Sequence, residues 1–293
     1  MKISVSSYSF SQYIREGKMT LLDTVSKAHE IGLSAIEFIT IYPDKTLEER
    51  IAGAEKIRAE AEKYDMTINA YTVGANMFAE GDDFQKEFDR LKDELQIAKA
   101  LGAPIMRHDA SFEKPGTGKK AKSFDLMLPI MAKNIIAVTE YSKTLGIKTC
   151  IENHGQTCQD SDRIERLYNA VNNDNFGILV DMGNFTCTDE NPALAVSRVA
   201  PYAIHAHAKD MIIFQGTGPH PGSNVITTRA GNWLRCTIIG QGSVPIKQCI
   251  RALKQAGYDG YLSIEFEGVE DCIYGITTGY KNLTRYISEV MSE

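Results

Sequence analysis

The sequence predicts an α/β protein with the (β/α)8 or TIM barrel architecture, in a chain of 293 residues. A join of helical tail, glycine and apolar strand recurs at residues 28–39, 98–108, 142–153 and 253–268. Glycine just past a helix adopts the left-handed conformation at little cost, so each join predicts a helix followed by a strand. The length also fits, since such barrels need about 250 residues. A doubly wound open sheet is the alternative, but no GxGxxG motif follows the first strand.

Apolar runs bounded by turn residues predict eight strands that alternate with helices. The strands are predicted at residues 2–7, 34–39, 66–72, 104–109, 147–152, 176–181, 203–209 and 260–266. Helices are predicted at residues 46–64, 83–101, 126–145 and 162–171. The first begins with Thr46 and Glu49, the spacing of a capping box. Pro129 is expected within the first turn of the third, and the fourth is expected to start at Asp162, with Glu165 three residues later.

One segment, residues 211–245, interrupts this alternation and reads as a long irregular loop. Loops of this length inside a compact domain are usually functional or mobile. We expect it to fold over the barrel mouth or to form a subunit contact, which would make the chain an oligomer. No linker is evident, so residues 1–293 are expected to form a single domain.

Composition restricts the function classes. The net charge is −6, which disfavours binding to a nucleic-acid backbone, because such proteins need clustered Lys and Arg. No run of residues approaches the roughly 20 apolar positions of a membrane span. The start shows no apolar run of signal-peptide length, and the six cysteines form no CxxC pair. These features predict a cytoplasmic protein with reduced thiols.

Four consecutive predicted strands end in a carboxylate or an imidazole. The fifth ends at Glu152, the sixth at Asp181, the seventh carries His205 and His207, and the eighth ends near Glu265. Each alone could be a helix cap or a satisfied core histidine. In (β/α)8 barrels, however, the carboxyl ends of the strands meet at one mouth, where unpaired carboxylates would be costly to bury. One divalent cation would remove that cost. A set of three carboxylates and one imidazole favours Mn²⁺, with Mg²⁺, Co²⁺ and Zn²⁺ as alternatives.

The motifs "IEN", "VDMGN", "HAKD" and "GYDGYLSIEFEG", in this order, resemble those of the sugar isomerase/epimerase superfamily with the xylose isomerase-like TIM barrel. The resemblance places the metal ligands at Glu152, Asp181, His207 and Glu265. His207 is chosen over His205 because it precedes Ala208, Lys209 and Asp210, as the ligand does in the family motif. In the ketose 3-epimerases of this superfamily, the two glutamates also move the proton.

The sequence departs from those ketose epimerases at two positions. Asn184 stands where they usually have a histidine, and Ile213 stands where they have an arginine. Both departures disfavour a simple ketohexose 3-epimerase. Inosose dehydratases and enzymes that cleave 3-oxo-C-glycosides also resemble this chain.

Further side chains are candidates for the site. His154 is a candidate general acid/base because a histidine titrates near neutral pH, and its alternative is a helix-start cap. The candidates for substrate binding are His108, Asn184, Lys209, Glu37 and Trp233. Each has a structural alternative: His108 could cap a loop, Lys209 could pair with Asp210, Glu37 with Arg107, and Trp233 could anchor a dimer contact.

The expected function is that of a divalent-metal-dependent sugar isomerase or epimerase. It would abstract a proton next to a carbonyl through a metal-stabilised enediolate, with Glu152 and Glu265 as bases. One alternative is a metal-dependent lyase acting on an oxidised (3-oxo) sugar or glycoside. Another is a non-catalytic barrel subunit that binds a partner. The expected ligand is a small sugar or sugar derivative, with no nucleic acid or membrane partner.

Overall fold

The computed structural model describes residues 1–111 and 123–293, and there it contains a closed barrel of eight parallel strands. The barrel strands are β1 (Lys2–Ser6), β2 (Ala35–Ile39), β3 (Thr67–Val73), β4 (Ile105–His108), β5 (Lys148–Glu152), β6 (Phe176–Asp181), β7 (Ala203–Ala208) and β11 (Tyr261–Ile264). Their order around the barrel is β1-β11-β7-β6-β5-β4-β3-β2. All eight predicted strands are present, and the predicted (β/α)8 fold is confirmed.

Helices surround the barrel, and most of them bury their apolar faces against it. They are α1 (Ser11–Arg15), α2 (Asp23–Ile31), α3 (Leu47–Lys63), α4 (Gly81–Leu101), α5 (Phe124–Thr144), α6 (Ser161–Val171), α7 (Pro192–Val199), α8 (Ile246–Gln255) and α9 (Cys272–Met291). At the four predicted joins the glycines have φ between 71° and 102°, at Gly32, Gly102, Gly146 and Gly257. In the part of the chain that the structure describes, no helix is both long and apolar enough to cross a membrane.

The observed helix starts agree only in part with the starts predicted from the sequence. Thr46 and Glu49 form the predicted capping box at α3. Helix α5 begins at Phe124, so Pro129 lies inside it rather than in its first turn. Helix α6 begins at Ser161 because the Asp160 side chain accepts a hydrogen bond from the Arg163 backbone, and the predicted start at Asp162 was therefore wrong.

Segment 211–245 is not an irregular loop. Strands β8 (Asp210–Phe214), β9 (Ile226–Thr227) and β10 (Trp233–Thr237) form an antiparallel sheet in the order β8-β10-β9. Asp210 anchors its first strand, because its carboxylate accepts backbone N–H groups of Met211, Gly240, Gly242 and Val244. A role for this segment in a subunit contact stays a prediction.

Candidate metal centre and active site

The four side chains at the ends of neighbouring strands meet inside the barrel mouth. Glu152 and Asp181 end β5 and β6, His207 lies in β7, and Glu265 follows β11. One ligand atom from each lies within 4.8 Å of those of the other three. His207 Nδ1 is 3.8 Å from Glu152 Oε1, 3.8 Å from Asp181 Oδ2 and 3.5 Å from Glu265 Oε2. Ligand atoms bonded to one ion at about 2.0–2.2 Å lie at comparable separations.

The donor atoms of this cluster fit a divalent cation. Asp181 Oδ2 and His207 Nδ1 are buried and make no hydrogen bond to the described residues. The other Asp181 oxygen is held in place by the backbone N–H groups of Gly183 and Asn184, at 2.7 and 2.9 Å. Buried polar atoms of native proteins nearly always have a partner, so these free donors support an ion between them.

Lys209 supplies positive charge beside the cluster. Its Nζ atom lies 2.5 Å from Glu265 Oε2, 2.7 Å from Glu267 Oε1 and 3.4 Å from Asp181 Oδ2. Burial alone would lower the pKa of Lys209, but these carboxylates hold it well above its usual value. The suggested pairing with Asp210 was wrong, because the Asp210 carboxylate is turned to backbone N–H groups.

Two polar side chains fix the position of Glu152. Arg107 Nη2 lies 2.6 Å from Glu152 Oε2, and Asn184 Nδ2 donates to Glu152 Oε1 at 2.9 Å. Burial raises the pKa of Glu152, although Arg107 opposes this effect. Burial would also raise the pKa of Glu265, but Lys209 and then His207 hold it well below its usual value. The two glutamates therefore differ in environment although they face the same cluster.

Glu37 lies beneath the cluster and contacts two histidines. Its carboxylate pairs with His205 Nε2, and its Oε1 atom is 2.8 Å from His207 Nε2. The carboxylate is fully buried, and the suggested pairing with Arg107 was wrong. A proton on His207 Nε2 that faces Glu37 leaves the lone pair of Nδ1 directed at Glu152, Asp181 and Glu265.

Replacing Glu37 with Gln is expected to weaken Mn²⁺ binding by about 10- to 100-fold, the usual effect of losing a carboxylate behind a ligand histidine. Titration calorimetry on the purified variant measures the affinity. Glu94→Gln is the matched control, because Glu94 is also buried but pairs with Arg50 and Tyr71, away from the cluster. An unchanged affinity in Glu37→Gln would show that Glu37 does not orient His207.

The cluster opens into a cavity of about 280 Å³, which we call the mouth cavity. Glu152, His154, His207, Lys209 and Glu265 line it. His154 Nδ1 is 2.8 Å from Asp109 Oδ1. Burial lowers the pKa of His154, but its hydrogen bond to the Asp109 carboxylate and the charge of Glu152 raise the pKa by more, so the net shift is upward. His154 is thus a polar group at the edge of the space that a small molecule would fill.

Other predicted substrate-binding residues do not line the mouth cavity. His108 is fully buried, its Nδ1 lies 3.0 Å from the Asp109 carbonyl oxygen, and burial lowers its pKa to about 4. Trp233 lies in β10, paired with Phe214 of β8 and packed against His220. Asn184 is buried behind Glu152, where it also accepts a hydrogen bond from Lys209.

The structure adds residues that sequence reasoning missed. Arg107 and Asp109 form a buried ion pair at 2.6 Å and line the mouth cavity. Tyr8 and Glu267 also line this cavity. Asp109 directly follows β4 and Tyr8 closely follows β1, so their places at strand ends were the available signal. Glu267, two residues after Glu265, pairs with Lys209.

Comparisons with known proteins agree with this fold. Inosose dehydratase of Lacticaseibacillus casei is 24% identical over 138 residues, which cover 47% of this chain and 46% of that protein. The chain thus spans about half the length of the inosose dehydratases that it matches.

Solved structures resemble the whole chain at low identity. The probable 3-DHS dehydratase of Bacillus anthracis has a TM-score of 0.76 at 18% identity, over 97% of this chain and 99% of that one. The IOLI protein with a bound zinc atom has a TM-score of 0.75 at 16% identity, over 100% of both chains. An L-ribulose 3-epimerase has a TM-score of 0.72 at 12% identity, over 100% of this chain and 96% of that one. At these identities the likeness establishes the fold alone.

A family model described as the xylose isomerase-like TIM barrel matches residues 25–289, nearly the whole chain. The chain belongs to the xylose isomerase-like TIM barrel family.

Proposed function

We propose that the chain is a divalent-metal-dependent sugar isomerase or epimerase that transfers a proton at the carbon next to a carbonyl. The observation that carries this proposal is the convergence of Glu152, Asp181, His207 and Glu265 on one point beneath an open cavity. These four residues would hold the ion. When bound, it supplies a positive charge that stabilises the negative charge developing on the substrate oxygen.

The proton transfer falls to the two glutamates. Glu152 and Glu265 come from β5 and β11, with β6 and β7 between them. Removing a proton from one face of a carbon and returning it on the other requires a base on each side. Arg107 and Asn184 orient Glu152, and Lys209 orients Glu265, so each carboxylate is held from behind.

A lyase is the second candidate, favoured by His154. This imidazole borders the mouth cavity and is paired with Asp109, so it is placed to protonate a departing group. In epimerisation the two glutamates remove and return a proton at one carbon, whereas elimination of a hydroxyl or an aglycone needs an acid placed at the leaving group. The similarity to inosose dehydratase agrees with this reading.

Chelation tests the metal dependence. We expect the purified chain to contain about one divalent ion, to lose turnover after treatment with EDTA and to regain turnover with Mn²⁺. The mostly oxygen donor set of the cluster is the reason for preferring Mn²⁺, with Mg²⁺, Co²⁺ and Zn²⁺ as alternatives. Asp181→Asn is expected to prevent recovery. Full turnover by a chain verified as metal-free would contradict the proposal. A chain that shows no turnover even with metal, and that unfolds when the metal is removed, would favour the partner-binding subunit.

Product mass separates the two reactions. The screen uses ketoses and 3-oxo-glycosides with the Mn²⁺-loaded chain. An epimerase or isomerase leaves the substrate mass unchanged, whereas a lyase releases water or an aglycone. The variant His154→Gln is expected to slow elimination more than epimerisation, because only elimination uses the proton of His154.

A further inference from the structure

A second cavity of about 540 Å³, which we call the side groove, opens beside the mouth cavity. The two share Tyr8, Ile39 and Thr40 as common walls. The side groove therefore borders the space above the carboxylate cluster, across these three residues. A molecule held at the cluster by its oxygens could extend a substituent past them into the side groove.

The two cavities differ in chemistry. The mouth cavity is lined by Arg107, Glu152, Lys209 and Glu265, all charged. The side groove adds apolar and aromatic side chains that pack in part against the core, namely Ile14, Leu21 and Tyr42. Its charged residues, Arg15, Asp44 and Lys45, are exposed at its rim.

The hydroxyl groups of the two serines that line the side groove already have backbone partners. Ser7 Oγ accepts a hydrogen bond from the Ile39 backbone N–H at 3.1 Å, and Ser11 Oγ donates to the Tyr8 carbonyl oxygen. A polyol needs donors and acceptors to replace its water, and these two hydroxyl groups are already engaged. An apolar group carries no such requirement and gains from leaving water.

Tyr42 makes one wall of the groove rigid. Its backbone has φ of 44°, a left-handed conformation that is rare for a bulky side chain. Its ring lies against Gly53 of α3, where a Cβ atom would approach the ring to 2.6 Å. The glycine thus leaves the space that the ring occupies, and the aromatic wall is formed before any ligand arrives.

We infer that the side groove binds an aryl substituent of the substrate, so that the enzyme acts on aryl-substituted sugar derivatives rather than on free sugars alone. This inference rests on the proposed function, because the carboxylate cluster must hold the sugar part. The mouth cavity, at about 280 Å³, lies at the lower limit of roughly 300–1,000 Å³ for small-molecule sites, and the side groove supplies the further space.

Paired probes test the inference on the Mn²⁺-loaded full chain. Titration calorimetry compares phenyl and methyl 3-oxo-β-D-glucopyranoside, which differ only in the substituent. We expect the phenyl compound to bind about tenfold more tightly, equivalent to burying on the order of 60 Å² of apolar surface. Ser11→Phe, which fills the groove, and Leu21→Ser, which makes it more polar, are expected to reduce this preference to about twofold or less while methyl binding stays unchanged.

The control is Leu194→Ser, the same replacement at an exposed leucine of α7 that does not line the groove. Equal binding of the two probes by the unmodified chain, or a phenyl preference that survives both groove variants, would overturn the inference and leave the metal site intact. A phenyl preference that persists equally after EDTA would support the groove and contradict the proposed function. Failure of both probes to bind would overturn both the inference and the proposed function.

Discussion

Replacing Glu152 with Gln is expected to lower turnover by about a thousandfold or more, the upper part of the range for losing a catalytic base. Glutamine keeps the shape of the side chain but cannot accept the proton, and it removes one negative charge from the carboxylate cluster. The amide would keep only one of these two contacts, because Arg107 and Asn184 both donate and glutamine has a single acceptor oxygen. Steady-state kinetics of the Mn²⁺-loaded variant measure the loss, and circular dichroism checks that the fold is unchanged.

Glu289→Gln is the matched control for this variant. Glu289 pairs with Lys247 on the surface and is remote from the barrel mouth, so its replacement should leave turnover unaltered. Full activity in Glu152→Gln would remove Glu152 from the chemistry. Activity that is lost together with bound metal would identify it as a ligand alone, and the metal content of the purified variant distinguishes these outcomes.

Replacing Lys209 with Met is expected to destabilise the metal-free protein by about 3–5 kcal/mol, the cost of leaving buried charges without their partner. Only 6% of the Lys209 side chain is exposed, and Asp181 and Glu265 beside it are also largely buried. Added Mn²⁺ should recover most of the loss, because the ion neutralises the same two carboxylates. Urea unfolding with and without Mn²⁺ measures both free energies.

Lys247→Met is the control, because it removes a lysine from the surface ion pair with Glu289. This variant should lower the free energy of unfolding by less than about 1 kcal/mol. The informative quantity is the difference between the two metal states of Lys209→Met. A loss of the same size with and without Mn²⁺ would show that Lys209 and the ion do not compensate the same charges.

The barrel was predictable from the sequence because local signals repeat along it. Gly32, Gly102, Gly146 and Gly257 each end a helix or its last turn by their conformation, which depends on neighbouring residues only. The start of α6 was missed by one residue because Asp160 and Asp162 are both plausible caps, and only the hydrogen bond to Arg163 distinguishes them. The sheet formed by β8, β9 and β10 depends on pairing between distant short strands, which no local pattern specifies.

The site was predictable only where residues share a strand end. Glu152, Asp181, His207 and Glu265 could be placed at one mouth because parallel strands bring their carboxyl ends together. The partners of these residues were not predictable in the same way. Asn184 reaches Glu152 from the turn of 3-10 helix that follows β6, and Glu37 reaches His207 through the barrel interior. Both contacts depend on side-chain directions that strand order alone does not give.

The contact of Glu37 with His205 and His207 has a consequence for how the protein matures. Glu37 belongs to the first quarter of the chain, whereas all four proposed ligands lie between residues 152 and 265. A fragment that begins after β4 would therefore carry the complete ligand set and lack the carboxylate that turns His207 toward it. Tight ion uptake during refolding should consequently follow closure of the barrel, so that metal occupancy marks the last stage of folding rather than its nucleus.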